Sequence, residues 1–557
     1  MKLKSGLIVL LISFVMTCEA FGTIASWTGY KSSNPTGYWS NAYWNGSNLI
    51  TTVAPPPGNT GDEIKICTNH EGAVCTLNSA AGNYYYTLTI GNATTYVNPV
   101  IFNIQAGGTL GITDMRLGSG GASGSDDTAH LNQSGGILTE WGNGDIMIGR
   151  MGGDATKIGR GTYTMTGGIL NYNPATTTTK GGLYIGAGGG TPGINGAVGT
   201  FIISGTAPAI TMRTLNVGNY YGTNYGTGTI QFLIAAAGVS PIVLTSDINA
   251  VNISTISGYT TNLLVSGTPT DTSANILLID NQGSSAVIGS FNFIGPNSSH
   301  LVSAAEGAAI LLGSHPYTLT YMYDSVSKTV GTVRNNTYND IALIPQKSVT
   351  IPTPAVNSGD LLIAAAATDE DTSASIAAHA GQGWTLIDRG ASGGNVTLAV
   401  WWKIAGSSEP NSYTFSWTGA AEQAYGWMMR FSGSATNPIN GTPATYNDSS
   451  STPISPAVTT TINNCLILRM GAFDDNSVTV GNPGLTGHTA ITMNKSSSTA
   501  GSGVVCGGAG YLKQSTAGSS GTSTFSLTAV KSARTLTLAI APANTGTSAC
   551  CEDDITP

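Results

Sequence analysis

The chain has 557 residues, a net charge of −8 and 9% charged side chains against 41% hydrophobic ones. Such a charge supplies no basic stripe for nucleic acid and no polybasic patch for anionic lipid. The surface must be carried by Ser, Thr, Asn and the 74 glycines, and regular aliphatic alternation points to an exported all-β protein rather than to disorder.

Residues 1–20 read as a signal peptide. Met1-Lys2-Leu3-Lys4 is basic, and Gly6 to Met16 is an apolar run too short to span a bilayer with ease. Cleavage is expected after Ala20, with Ala20-Phe21-Gly22 as the alternative site. Val15 to Cys18 fits a lipoprotein box poorly, because threonine precedes the cysteine. The mature chain is expected to lack a transmembrane segment and to be secreted or held at the cell surface.

Residues 21–105 are assigned to an N-terminal cap and first coils. The aromatic cluster Trp27, Tyr38-Trp39, Tyr43-Trp44 has no periodicity. Stacked repeats leave an open end that needs a lid, which makes the cluster a cap; a carbohydrate-stacking platform is the functional alternative. Leu88-Thr89-Ile90-Gly91 and Met115-Arg116-Leu117-Gly118 then begin a recurring phrase.

Over residues 106–238 the phrase becomes regular. Ser134-Gly135-Gly136-Ile137-Leu138, Ile146-Met147-Ile148-Gly149 and Gly161-Thr162-Tyr163-Thr164-Met165 are followed by Thr166-Gly167-Gly168-Ile169-Leu170, Leu183-Tyr184-Ile185-Gly186 and Gly199-Thr200-Phe201-Ile202-Ile203. A looser copy contains Leu215-Asn216-Val217-Gly218 and Gly228-Thr229-Ile230. Strand-like phrases in fixed order, aliphatic at alternate positions and punctuated by glycine, predict a right-handed parallel β-solenoid. Ile148, Ile185 and Val217 should form one inward column, and Tyr163, Phe201 and Ile230 another. Residues 239–340, where the glycines thin out, are assigned to the distal end and cap.

The order of a Trp-rich start, SGGxL, LxIG and GTYxM phrases, then Leu278-Ile279-Asp280-Asn281-Gln282-Gly283 and Tyr317-Thr318-Leu319-Thr320-Tyr321, resembles secreted β-solenoid proteins with autotransporter-associated β-strand repeats, over roughly residues 25 to 340. The resemblance implies an extracellular structural or adhesive rod and no defined catalysis. The membrane barrel of true autotransporters has no candidate segment in this sequence.

Residues 348–542 form a second, internally duplicated module. Gly359-Asp360-Leu361-Leu362-Ile363 is answered by Asn464-Cys465-Leu466-Ile467-Leu468, the turn Asp369-Glu370-Asp371 by Asp474-Asp475-Asn476, and Trp427 to Phe431 by Leu536 to Ile540. Two similar strand sets predict a jelly-roll-like β-sandwich with a shared core. The GDLLI opening with GWTLIDRG, TLAVWWK and EPNSYTFSW resembles a domain common in secreted bacterial proteins, generally of unknown ligand. Residues 543–557 are a polar tail.

Candidate chemistry is sparse. Asp126, Asp127, Glu140 and Asp145 are the acidic group near the regular coils, with Arg150 and Arg160 nearby; they are either a carboxylate constellation of a polysaccharide lyase or glycoside hydrolase, or solvated corner residues. Asp369, Glu370, Asp371, Asp474 and Asp475 are Ca2+ candidates if the two acidic turns share oxygen ligands, although such turns are common. The six histidines have no nucleophile-elbow partner, and no cysteine or histidine spacing suits zinc. In an oxidising compartment Cys67 with Cys75, and Cys465 with Cys506, are disulfide candidates, while Cys550-Cys551 in the tail are candidates for bonding between molecules. Asn45, Asn92, Asn132, Asn252, Asn297, Asn395 and Asn494 open glycosylation sequons, many of them expected by chance in so Ser/Thr-rich a chain.

The reading is of a non-catalytic, secreted structural or adhesive protein, with no cofactor apart from the Ca2+ candidate. Its expected partners are a polysaccharide, a surface protein or itself. A solenoid enzyme acting on polysaccharide and a self-assembling filament subunit are the alternatives. Trp384, Trp417 and Trp427 are the aromatics considered for stacking on sugar, against a core role for each.

Overall fold

The computed structural model describes strand residues 16–20, 23–27, 63–66, 74–77, 80–83 and 87–91, and residues 99–543 except 120–126, 142–143, 151–157, 174–180, 188–196, 221–223, 300 and 497–502. The described residues form strands and no α-helix, so none is long and apolar enough to cross a membrane. The chain divides into two compact units, residues 1–312 with 318–344, and residues 313–317 with 345–557.

The first unit is the parallel solenoid. Glu63–Ile66, Thr87–Ile90, Asp114–Ser119, Asp145–Arg150, Gly182–Ala187, Thr214–Val217 and Val251–Ile253 stack as one seven-stranded parallel sheet. The remaining strands of each coil form two further parallel columns. Asp127–Glu140 and Gly159–Tyr172 are long enough to serve both, with register shifts at the bend between Gln133 and Ile137. Side-chain alternation then determines what lies inside. Leu117, Ile148, Ile185, Val217 and Ile253 are register partners in turn, each at most 2% exposed. Phe102, Leu131, Tyr163, Phe201, Ile230 and Leu263 form a second, fully buried column, with the Tyr163 and Phe201 rings 5.1 Å apart. Each such aliphatic or aromatic side chain contributes roughly 1.5–3 kcal/mol of transfer free energy. The buried phenol is also satisfied: Tyr163 donates to Gln133 Oε1, and Gln133 Nε2 donates to the Ile169 carbonyl at 3.0 Å.

The recurring Leu-x-Ile-Gly glycine has a steric cause. Gly149 and Gly186 sit at φ of 68° and 69°, and a Cβ at either would overlap a carbonyl oxygen, of Val198 and Thr227 respectively. Neither the dihedral nor the space admits a side chain.

Parallel stacking continues beyond residue 239, further than the sparser glycines suggest. Ile242–Leu244, Val251–Ile253 and Thr261–Gly267 still occupy the three columns, and Thr261–Gly267 pairs in parallel with Phe293–Gly295. The inward alternation persists, and Asn249 adopts a φ of 48° where earlier bends use glycine. Antiparallel closure begins with Val302–Ser303 and ends with Asp340–Pro345, which pairs with Ile276–Asn281 and so covers an edge that parallel stacking would leave open. At the other end Met16–Ala20, within the expected signal peptide, is a strand antiparallel to both Thr23–Trp27 and Val74–Leu77. Tyr38 to Trp44 and Cys67 lie outside the described residues, as does the side chain of Cys75.

The second unit holds two antiparallel sheets of matching order. In the first, Leu361–Asp369 lies between Val396–Ile404 and Ala424–Phe431, with Thr385–Ser392 beyond. In the second, Cys465–Asp474 lies between Val505–Gln514 and Lys531–Pro542, with Thr489–Lys495 beyond one and Ser434–Ser450 beyond the other. The correspondence reaches the backbone: Gly359 and Asn464 have φ of 96° and 59°, Glu370 and Asp475 of 55° and 62°. Leu361, Ile363, Met429, Leu466, Leu468 and Leu538 belong to one shared core, as in a sandwich. The outer faces are covered as well. Leu362, Ala364 and Ala366 pack with Trp401, Phe415 and Trp417 under a three-stranded sheet, so Leu361–Asp369 is buried at every position. The unbroken apolar run Leu361 to Ala367 is the sequence trace of that two-sided burial.

Cys465 and Cys506 are both free and buried, which corrects the expected disulfide. Cys465 is opposite Gln514 whereas Cys506 is opposite Phe473, at the two ends of the paired strands. From Cys465 to Phe473 is eight residues (473 − 465), about 27 Å of strand, far beyond bridging distance. The Cys506 thiol instead donates to the Asp475 carbonyl at 2.9 Å, and burial pushes it up to about 12.

The inward column predicts a face-specific response to charge. Ile185→Asp should destabilise the solenoid by several kcal/mol, because an unpaired carboxylate enters a dry core, whereas Asn216→Asp, on the outward face of the adjacent strand, should cost less than about 1 kcal/mol. Thermal unfolding of the two variants of the full chain measures the difference.

Candidate functional site

The described acidic candidates of the solenoid, Glu140 and Asp145, are each engaged with backbone amides. Asp126 and the Asp127 side chain lie outside the described residues. Glu140 shares the parity of the inward Leu138, stands between Ile112 and Tyr172 in the ladder, and is fully buried, accepting the Gly144 N–H at 3.2 Å. Asp145 sits at the start of the next strand: its N–H donates to Asp114 Oδ1 at 2.8 Å, and its own Oδ1 accepts the Gly182 N–H at 3.1 Å. Asp114 and Asp145 thus accept backbone amides from the next coil, and Glu140 one at the following bend. The alternation Leu138-Thr139-Glu140 was the available signal that Glu140 faces inward.

The two acidic turns of the second unit do meet. Asp369 and Glu370 end the central strand of one sheet, Asp474 and Asp475 that of the other. Burial, followed by the charges of Asp474, Glu370 and Asp475, raises the Asp369 carboxyl to about 7. Glu422, which sequence reasoning missed, joins them: it is 2% exposed, and its Oε2 has no hydrogen-bond partner among the described residues. Burial, then Glu370 and Asp369, pushes it up to about 8. His315 Nδ1 lies 4.0 Å from Glu422 Oε1 and 2.7 Å from the Ala421 carbonyl. Burial raises Asp474 too, whereas Asp475 is held low by its 2.5 Å contact with Lys531. Asp371 points into its own turn, accepting from the Ser373 N–H and hydroxyl at 2.9 and 2.5 Å. Among the described residues, no three histidine, cysteine or acidic side chains are gathered so as to hold a metal ion. Glu422 left no trace in the sequence because Ala420-Ala421-Glu422-Gln423-Ala424 has no partner at a readable spacing; only folding brings it to the cluster.

The considered sugar platform is not assembled. Trp417 and Trp427 are 4% and 3% exposed in separate cores. Trp384 is half-buried, edge-on to Tyr413 at 5.1 Å, with Lys403 5.8 Å from its ring centre. Apolar neighbours enclose the Trp417 and Trp427 rings, and the Trp384 ring packs at the edge of the first of these cores.

The solenoid offers a different surface. Outward from one column stand Thr162, Thr200, Thr229 and Asn262, consecutive register partners and all half-buried. Beside them Asn132 Nδ2 donates to Asn103 Oδ1 at 3.0 Å, and Asn262 Nδ2 reaches Thr229 Oγ1 at 3.3 Å. Parallel stacking repeats these uncharged hydrogen-bonding groups about every 4.8 Å.

No protein-family model, no curated protein and no solved structure matches the chain.

The carboxylate cluster predicts a pH dependence of known sign. Asp369 and Glu422 have raised values in the folded state, so their stabilisation is fully present below about pH 4 and is lost as pH rises through about 7 to 8. The stability of the second unit should fall between pH 5 and pH 9 by on the order of a few kcal/mol. Calorimetry of Glu422→Gln should show a flatter dependence.

Proposed function

We propose that this protein is a secreted, non-catalytic structural or adhesive protein of the cell surface or extracellular matrix, of the kind that carries autotransporter-associated repeats. The solenoid is its holding surface, and the outward Thr162-Thr200-Thr229-Asn262 ladder is the observation that carries the reading. A neutral array of hydroxyls and amides at a fixed spacing suits a neutral, hydroxyl-rich polysaccharide, which pairs with many weak donors and acceptors and needs no charge.

The alternative of polysaccharide cleavage draws less support. It requires two carboxylates, or an acid and a base, facing one substrate. Glu140 and Asp145 are instead engaged with the Gly144 and Gly182 amides, on the inner side and at a corner respectively.

Retention of the full chain on insoluble neutral polysaccharides, assayed together with release of reducing or unsaturated ends, tests the reading. Retention without release is expected. The triple substitution Thr162→Val, Thr200→Val, Thr229→Val should weaken retention about tenfold or more at unchanged unfolding temperature, given roughly 0.5–1.5 kcal/mol per lost hydrogen bond. Product release abolished by changing Asp126, Asp127, Glu140 or Asp145 would establish the enzyme instead.

A further inference from the structure

The central strand of the second sheet carries one arginine in an otherwise uncharged run, Cys465 to Phe473. Leu468 and Met470 face the shared core, so alternation turns Arg469 to the opposite face, where it is fully buried. Covering segments close over it: Ile454–Ser455 pairs with Ser523–Thr524, and Thr459–Thr460 with Gly518–Ser519. Nη1 donates to the Ser455 carbonyl at 3.0 Å, the Ser455 hydroxyl at 3.2 Å, the Pro456 carbonyl at 2.9 Å and Thr537 Oγ1 at 3.3 Å. Nη2 donates to the carbonyls of Gly521 and Ser520 at 2.7 and 3.5 Å, and Nε to His488 Nε2 at 2.9 Å. None of these partners is a carboxylate. Nη1 has more acceptors than N–H groups, whereas the single N–H on Nε has His488 alone, so loss of that acceptor leaves a buried charged donor unpaired.

Among the partners only His488 changes its hydrogen-bonding capacity in the physiological pH range. Its Nδ1 is 2.9 Å from the Thr486 carbonyl, so Nδ1 carries the proton, and the Nε2 lone pair accepts from Arg469. A second proton on Nε2 would face N–H with N–H and set imidazolium against guanidinium. His488 is half-buried between the exposed Gly487 and Thr489, within reach of solvent protons.

Glycine at position 510 lets this loop settle on the sheet. Gly510 is opposite both Arg469 and Ala490, and a Cβ there would meet Leu485 Cδ1 at 2.9 Å and the Thr489 carbonyl at 3.1 Å. The loop leads directly into Thr489–Lys495, the outermost strand of the sheet. Leu485 remains anchored among Phe473, Met493 and Phe525, and the Pro483 carbonyl accepts from the Ser526 N–H.

We propose that Arg469 and His488 form an acid-sensitive clamp: neutral His488 holds Thr486–Thr489 and the start of the edge strand against the sheet, and protonated His488 releases them. Arg469 is the charged group facing the imidazole from the central strand. On the intervening strand the titratable groups are Tyr511, opposite Thr489, and Lys513 two positions on; Lys495 stands at the far end of the edge strand, opposite Cys506. Ser520 and Gly521 of the cover are uncharged. Burial, reinforced by Arg469 and opposed by the Thr486 carbonyl, holds His488 below the ordinary histidine value. The clamp is therefore complete above about pH 6.5 and is lost as pH falls from there through the lowered folded value.

Hydrogen–deuterium exchange of the full chain at pH 7.5 and 5.5, corrected for intrinsic rates, tests the clamp. Peptides spanning residues 484–495 should lose protection at pH 5.5 by up to about tenfold per pH unit below the ordinary histidine value, while peptides from Gly182–Ala187 should not. His488→Gln retains an acceptor and does not titrate; it should keep protection at pH 7.5 and abolish the pH response. Deuteration of the His488 Cε1 position in the unaltered protein, read by mass spectrometry across pH, gives its titration midpoint without any substitution, expected below 6.5. An equal pH response in the glutamine variant, no response in the unaltered protein, or a midpoint at or above 6.5 would overturn the proposal.

Discussion

Backbone meets backbone at the corner that follows each Leu-x-Ile-Gly strand, and the solenoid depends on that contact. Gly149 approaches the Val198–Gly199 peptide, and Gly186 the Thr227–Gly228 peptide, so closely that no side chain fits between them. Glycines of two different phrases therefore face each other in space, which explains why Leu-x-Ile-Gly and Gly-Thr-aromatic recur together. With the corner closed, the register of the strands on either side is determined. A one-residue slip would turn Ile148, Ile185 and Val217 outward together.

A chain with so few charges places several of them where backbone groups need partners. Asp114, Asp145 and Glu140 accept amides between coils and at a bend, and Arg469 gathers carbonyls under the cover of the second unit. Each of these groups is engaged with backbone partners. Glu422 differs, since one of its oxygens is buried among other carboxylates with no partner among the described residues. Proton uptake is the cheapest relief available to it, and so the second unit couples folding to pH.

The strand order of the second unit was legible because similar phrases occur twice in the sequence, and its two sheets share that order, each with a left-handed residue after its central strand, Glu370 and Asp475. The errors share a cause. Pairing Cys465 with Cys506 treated neighbouring strands as neighbouring residues, while antiparallel register puts the thiols at opposite ends. Proposing Trp417 and Trp427 as sugar platforms assumed that a sheet has one free face, yet both central strands of this unit are covered on both.

By itself the sequence determined the all-β class, the parallel stacking of the first unit, the inward columns and the repeated strand order of the second. Those features follow from period-two alternation and from glycine at bends, which are local and recur often enough to read. Only the tertiary structure decided that parallel stacking runs on past residue 239, that the second unit has layers outside its shared core, and that Asp369, Glu422 and Asp474 share one region. It alone showed that Arg469 is answered by His488. Pairs such as Arg469 and His488, or Asp369 and Asp474, are brought together by strand register across a sheet or between sheets, and nothing in the residues between them encodes that distance.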